Sequence, residues 1–136
     1  MIYLDSAAVV KLVRQETHSA DLVAWLNSHD DAPLVSSALV EVEVPRALRR
    51  SAPQAMIGVP AAVGRLFRLE IDSTIRATAA AFAEPALRSL DAIHLATAQV
   101  LTNESGSALT AFVTYDRRLL EAAKAAGLPV ASPGQD

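Results

Sequence analysis

Ile2-Tyr3-Leu4-Asp5-Ser6 is a short apolar run that stops on a carboxylate and a small polar residue. Three consecutive apolar residues read as a short buried strand. Asp and Ser are favoured N-caps, so Asp5 or Ser6 starts a helix that runs to about Arg14. The same grammar returns in Phe112-Val113-Thr114-Tyr115-Asp116, where a strand over Ala111 to Thr114 precedes a helix from Arg117 to Ala126 closed by Gly127. Helix and strand signals alternate between these two stretches, which predicts an α/β layer fold with a parallel sheet.

Working outward, His18 to Asn27 reads as a helix with Leu22, Val23, Trp25 and Leu26 as its apolar contacts. Pro33 to Ser36 reads as a second strand, followed by a helix from near Ser37 to Ser51. Pro45 lies inside that helix, removes a backbone donor and predicts a kink. Pro53 and Pro60 bracket a further helical stretch, and Pro60 suits a fresh first turn. Arg68 to Ile71 reads as a third strand. Asp72 or Ser73 caps an Ala-rich helix expected to end near Glu84-Pro85. Leu90 to Leu101 is a strong helix, Asn103 to Ser107 a polar turn, Leu128 to Ala131 a last strand, and Ser132 to Asp136 a frayed tail. With no linker or repeat, residues 1–136 read as a single domain.

Composition narrows the function. The chain is 51% hydrophobic but only 4% aromatic, which suits helices packed on a small sheet and not an aromatic groove for sugars or bases. It has no Cys, which excludes disulfides, thiol catalysis and Cys-type zinc sites. A net charge of -3 argues against a protein that coats nucleic acid non-specifically. No signal peptide is apparent, and no apolar stretch approaches the roughly 20 residues of a membrane span. A cytoplasmic location without membrane attachment is the expectation.

Four acids stand where acids are unexpected. Asp5 and Asp116 end apolar runs; Glu43 lies within Ser37-Ala38-Leu39-Val40-Glu41-Val42-Glu43-Val44; Asp91 lies within Leu90-Asp91-Ala92-Ile93-His94-Leu95-Ala96-Thr97-Ala98. Carboxylates are rarely buried unless paired or bound to metal. In open parallel sheets, sites form at the carboxyl ends of strands, where Asp5 and Asp116 fall. Both also read equally well as simple helix caps. Asp91 suits the first turn of a helix, where the dipole welcomes an anion, but it shares an apolar stripe with Leu95, Ala98 and Leu101. Glu43 reads either as a site acid or as a solvated partner of Arg46 or Arg50, and Glu41 competes with it. Asp72 has the same strand-then-acid look and reads as a cap only.

The remaining chemistry is sparse. His94 sits one turn after Asp91 and reads as a core histidine or a support for the acids, ahead of a ligand. Ser6 and Thr114 flank two of the acids and suit either hydrogen bonds to a carboxylate or a metal-bound water, or simple helix caps. Neither a phosphate-cradling Gly-rich loop nor a Gly-x-Ser-x-Gly elbow is present.

Taken together, these segments resemble the PIN-domain ribonucleases, and within them the VapC-type toxins of bacterial toxin–antitoxin pairs. Four blocks carry the resemblance in order: Ile2 to Ser6; Ser37 to Leu39 with Glu43-Val44 and Arg46-Ala47-Leu48; Leu90 to Ala98; and Phe112 to Leu119. The third is the most specific. Pro45 departs from the pattern, standing where the family keeps a helix-forming apolar residue.

The resemblance implies a PIN-like three-layer α/β fold, with a short, mostly parallel sheet between helices. It implies a metal-dependent endoribonuclease in which Asp5, Asp91, Asp116 and Glu43 hold Mg²⁺, with Mn²⁺ as a substitute. A metal-activated water would then cleave RNA to 5′-phosphate and 3′-hydroxyl ends. Arg46, Arg49, Arg50, Arg117 and Arg118 become candidates for contact with RNA phosphates or with an antitoxin. A VapB-type antitoxin and a homodimer are the implied partners. Two other readings compete: a PIN-like module that binds RNA or protein without cutting, and a receiver-like phosphoacceptor. The second needs paired acids after the first strand and a late Lys, and Asp5-Ser6 and Thr114-Tyr115-Asp116 supply neither.

Overall fold

The computed structural model describes residues 1–135. Five strands form one sheet: β1 (Ile2–Leu4), β2 (Leu34–Ser37), β3 (Phe67–Leu69), β4 (Ala111–Val113) and β5 (Val130–Ala131), in the order β3-β2-β1-β4-β5. All four pairings are parallel. The helices are α1 (Ser6–Val13), α2 (Ser19–Asn27), α3 (Val40–Ser51), α4 (Val59–Gly64), α5 (Ser73–Ala80), α6 (Ser89–Ser105) and α7 (Arg117–Ala125), with a 3-10 turn over Pro53–Gly58.

The period of β1 divides the core. Successive strand side chains point to opposite faces. Ile2 and Leu4 pack with Ala8, Val9, Leu22, Val40, Val44 and Leu48 from α1, α2 and α3. Tyr3 packs on the other face with Leu95, Ala98, Leu119 and Ala123 from α6 and α7, and its ring stacks on Phe112 at 5.0 Å. All three β1 residues are fully buried, as expected of a central strand covered on both faces. The result is helix, sheet and helix in three layers, as expected.

The strand order locates the site. From β1 the chain builds outward through β2 and β3, then returns to the other side of β1 for β4 and β5. The crevice at the carboxyl ends of β1 and β4 is therefore the point where the winding reverses, the place where open parallel sheets bind ligands. Leu4 pairs with Val113 there, and the Asp5 amide donates to the Val113 carbonyl.

Several expectations need correction. Val23 faces solvent, so α2 is anchored by Leu22 and Leu26, with Trp25 only half-buried. The third strand is Phe67–Leu69, not Arg68 to Ile71. α5 stops at Ala80, well before Glu84, because Phe82 turns inward against the clusters of α6. α6 continues through the expected turn at Asn103 and ends at Gly106, whose φ of 68° is the left-handed cap that glycine adopts without strain. The tail is docked as far as Gln135. Ser132 Oγ donates to the Thr114 carbonyl at 2.6 Å, and Tyr115 Oη donates to the Pro133 carbonyl at 2.8 Å. Asp136 lies outside the described residues.

Candidate active site

Asp5 is the deepest of the acids, with 4% of its surface exposed. It is also the N-cap of α1: its Oδ1 accepts from the Ala8 amide at 2.9 Å. The cap and site readings of Asp5 are therefore the same geometry, since the cap fixes the carboxylate at the end of β1. Burial pushes its carboxyl above the ordinary value, and the nearby Asp91 adds to the rise. His94, Thr114 and the Ala8 amide pull the other way.

Asp116 repeats the arrangement on α7. Its Oδ1 accepts from the Arg118 amide at 2.8 Å and the Leu119 amide at 3.1 Å. Thr114 Oγ1 accepts from the Asp116 amide, which ties the two residues into one turn at the end of β4. Asp91 lies in the first turn of α6 and is half-buried. Burial and the charge of Asp116 raise its carboxyl above the ordinary value, while Arg88 and His94 oppose the rise.

Glu43 reaches the site from the opposite layer. Ser6 Oγ donates to Glu43 Oε1 at 2.6 Å, and His94 Nε2 lies 2.9 Å from the same oxygen. Burial alone would raise the Glu43 carboxyl; the hydrogen bonds from His94 and Ser6 outweigh it and hold it below its ordinary value. α3 runs unbroken through Pro45, and Glu43 remains seated on Ser6 and His94. Glu41 points elsewhere, to Arg68 at 3.3 Å on the β3 side. Asp72 caps α5 through the Ile75 amide, as expected.

His94 is buried between the layers, with Nδ1 2.7 Å from Tyr3 Oη and Nε2 shared between Glu43 and Ser6. An ionised carboxylate only accepts, so Nε2 carries the proton that faces Glu43. Ser, His and Glu meet here, but not as a nucleophile triad. A triad needs the carboxylate and the serine on opposite ring nitrogens, and both share Nε2. Every buried side-chain polar atom among the described residues has a partner.

Arg88 is the residue that sequence reading missed. It is the N-cap residue of α6. Its Nε lies 3.7 Å from Asp91 Oδ2, and its Nη2 lies 3.6 Å from Asp116 Oδ2. Its three-residue offset from Asp91 was the available signal. The salt bridges of Asp91 and Asp116 run to Arg88 and not to Arg117 or Arg118, which are exposed and line a groove beside the site. Arg46, Arg49 and Arg50 are exposed on α3.

The donor set suits a hard cation: carboxylates and hydroxyls, no sulfur, and a histidine whose two nitrogens are already engaged. Among the described residues no three Asp, Glu or His side chains close around a common point as they stand. The carboxylates of Asp91 and Asp116 instead share a guanidinium. A groove of about 810 Å³ lies between α6, α7 and the segment before α6, lined by Phe82, Leu87, Leu95, Ala122 and Ala126. None of the four acids lines it.

A parallel sheet with carboxylates gathered at its winding reversal defines a class, and comparison with known proteins agrees. The PIN domain family matches residues 2–125, and the chain belongs to that family. The relatives found are VapC proteins of Mycobacterium tuberculosis. The chain is 54% identical to ribonuclease VapC35 over 135 residues, covering 99% of this chain and 98% of the relative. It is 42% identical to ribonuclease VapC46 over 132 residues, 97% of each chain. It is 37% identical to ribonuclease VapC47 over 145 aligned positions, 98% of each chain. No solved structure matches significantly. No helix among the described residues is long and apolar enough to cross a membrane.

Proposed function

We propose that the chain is a Mg²⁺-dependent endoribonuclease, the toxin of a toxin–antitoxin pair, and that Asp5, Glu43, Asp91 and Asp116 are its working carboxylates. The observation that carries this reading is Asp5. It is a nearly inaccessible carboxylate at the end of the central strand, and the groups that stabilise its charge are His94, Thr114 and a backbone amide, with no Lys or Arg among them. Such a group is costly unless a cation relieves it. Asp91, whose carboxyl is raised by burial and by the charge of Asp116, and Asp116 itself supply the neighbouring oxygens. The names of the relatives, all ribonucleases, point to RNA as the substrate.

When bound, a divalent cation acidifies a water and offsets charge on the phosphate. This chain's residues do the remaining work. Asp5 and Asp116 are fixed by the helix amides they cap, so they present oxygens in a set direction. Ser6 and His94 hold Glu43 ionised and turned toward the crevice. Thr114 steadies Asp5 on one side and the Asp116 backbone on the other. Among the described residues no side chain is arranged as a nucleophile, which supports water in that role.

A VapB-type antitoxin is the partner we infer, and the apolar groove beside α7, with Arg117, Arg118, Glu84 and Glu121 among its lining, suits an amphipathic helix. A homodimer is tested by sedimentation of the free chain. For the activity, RNA is incubated with the wild type and with Asp5→Ala and Asp91→Ala in Mg²⁺. Cleavage by the wild type and loss of at least about a hundredfold in both variants is the expected result. Tight RNA binding without turnover at any metal concentration would instead mark a non-catalytic module.

A further inference from the structure

Arg88 stands among the carboxylates without clamping either of them. An arginine fork normally grips one carboxylate through two parallel hydrogen bonds. Here one guanidinium is shared between Asp91 and Asp116, at 3.7 Å and 3.6 Å, beyond hydrogen-bond length in both cases. Its side chain is 72% exposed. Ion pairs this open are weak, so the fork is readily displaced. Its backbone, however, is fixed at the start of α6, three residues before Asp91. A displaced Arg88 therefore remains tethered at the rim of the crevice.

Among the described residues no other arginine is so placed. Arg117 and Arg118 follow Asp116 in sequence, but only the Arg118 backbone amide contacts it. Arg68 is engaged with Glu41, on the β3 side.

We propose that Arg88 is a resident counter-ion that cedes Asp91 and Asp116 when a divalent cation binds, then turns its fork to a phosphate of the RNA. It is a substrate-binding residue held in reserve by Asp91 and Asp116. The inference rests on the ribonuclease reading above. Two consequences point in opposite directions. Removing the guanidinium takes away a competitor for the carboxylates, so metal binds more tightly. It also takes away a phosphate contact, so RNA binds more weakly.

The test uses Arg88→Gln and Arg88→Lys beside the wild type. Mn²⁺ affinity is measured by calorimetry without RNA, and KM and kcat are measured on one RNA substrate. For Arg88→Gln the Mn²⁺ Kd should fall about twofold to fivefold at low salt, and the KM should rise about tenfold. Arg88→Lys keeps a charge but not the fork, so its Mn²⁺ Kd should stay near the wild-type value while KM rises. General damage to the fold weakens both affinities and cannot produce the opposed pair. If Arg88→Gln leaves Mn²⁺ Kd and KM unchanged, or weakens metal binding, in a wild type that binds Mn²⁺ and cleaves, the proposal alone is overturned. A wild type that neither binds Mn²⁺ nor cleaves overturns the proposal together with the ribonuclease reading.

Discussion

His94 on α6 and Glu43 on α3 meet across the carboxyl end of the sheet, Nε2 to Oε1 at 2.9 Å, and so join the two helical layers. The other imidazole nitrogen is held by the Tyr3 hydroxyl at 2.7 Å. His94→Ala therefore strands a buried phenol and a half-buried carboxylate together and opens a cavity. We expect a loss of about 2–4 kcal/mol in urea unfolding, with cleavage reduced at least about tenfold. His94→Gln retains a donor for Glu43 and should recover part of both.

Asp5 contributes with the opposite sign. Its folded pKa is raised, so the folded state holds its proton more tightly than the unfolded one. The cost is absent below the unfolded value of about 3.9, grows as pH rises, and is complete above the folded pKa. Asp5→Asn keeps the cap on α1 and removes that cost. In EDTA at neutral pH its Tm should exceed that of the wild type by about 2–4 °C, and the gain should vanish below about pH 4. The same substitution should abolish cleavage. Glu43, whose carboxyl is held low, behaves conversely: its contribution is present above the ordinary carboxylate range and fades as pH falls through its lowered pKa.

Metal should stabilise the folded wild type by mass action. Mn²⁺ at about 100 times its Kd adds about 2.7 kcal/mol. Thermal scans with and without EDTA should show this rise in the wild type and little of it in Asp91→Asn. Equal rises in both proteins would remove Asp91 from the ligand set.

The docked tail braces the loop that carries Thr114 and Asp116. Ser132→Ala loses the bond to the Thr114 carbonyl, and Tyr115→Phe loses the bond to the Pro133 carbonyl. Each should cost about 1 kcal/mol. Amide exchange at residues 114–116 should quicken in both variants, while exchange in β1 stays unchanged.

What the sequence reveals follows the range of the interaction. β1, the Asp5 cap and the Gly127 stop are local chemistry, and Ile2-Tyr3-Leu4-Asp5-Ser6 displays them outright. The end of α5 is not local. Ala79-Ala80-Ala81 favours continuation, and the chain stops because Phe82 must reach the core against α6. Asn103-Glu104-Ser105 looks like a turn by composition, yet α6 runs on to its Gly106 cap. A helical wheel leaves Glu43 undecided because Ser6 and His94, which fix it, lie far off in sequence. Arg88 is not legible as a site residue because its second partner, Asp116, lies in another element altogether. The tail reads as frayed because its hydrogen bonds return to residues near 114.

The most direct measurement is the chemistry of cleaved RNA ends. A defined RNA is incubated with the wild type in Mg²⁺, in EDTA, and with Asp91→Asn in Mg²⁺. Water attack at the carboxylate cluster predicts 5′-phosphate and 3′-hydroxyl ends in the first reaction and intact RNA in the other two. Undiminished cleavage in EDTA, or ends bearing a 2′,3′-cyclic phosphate, would contradict it.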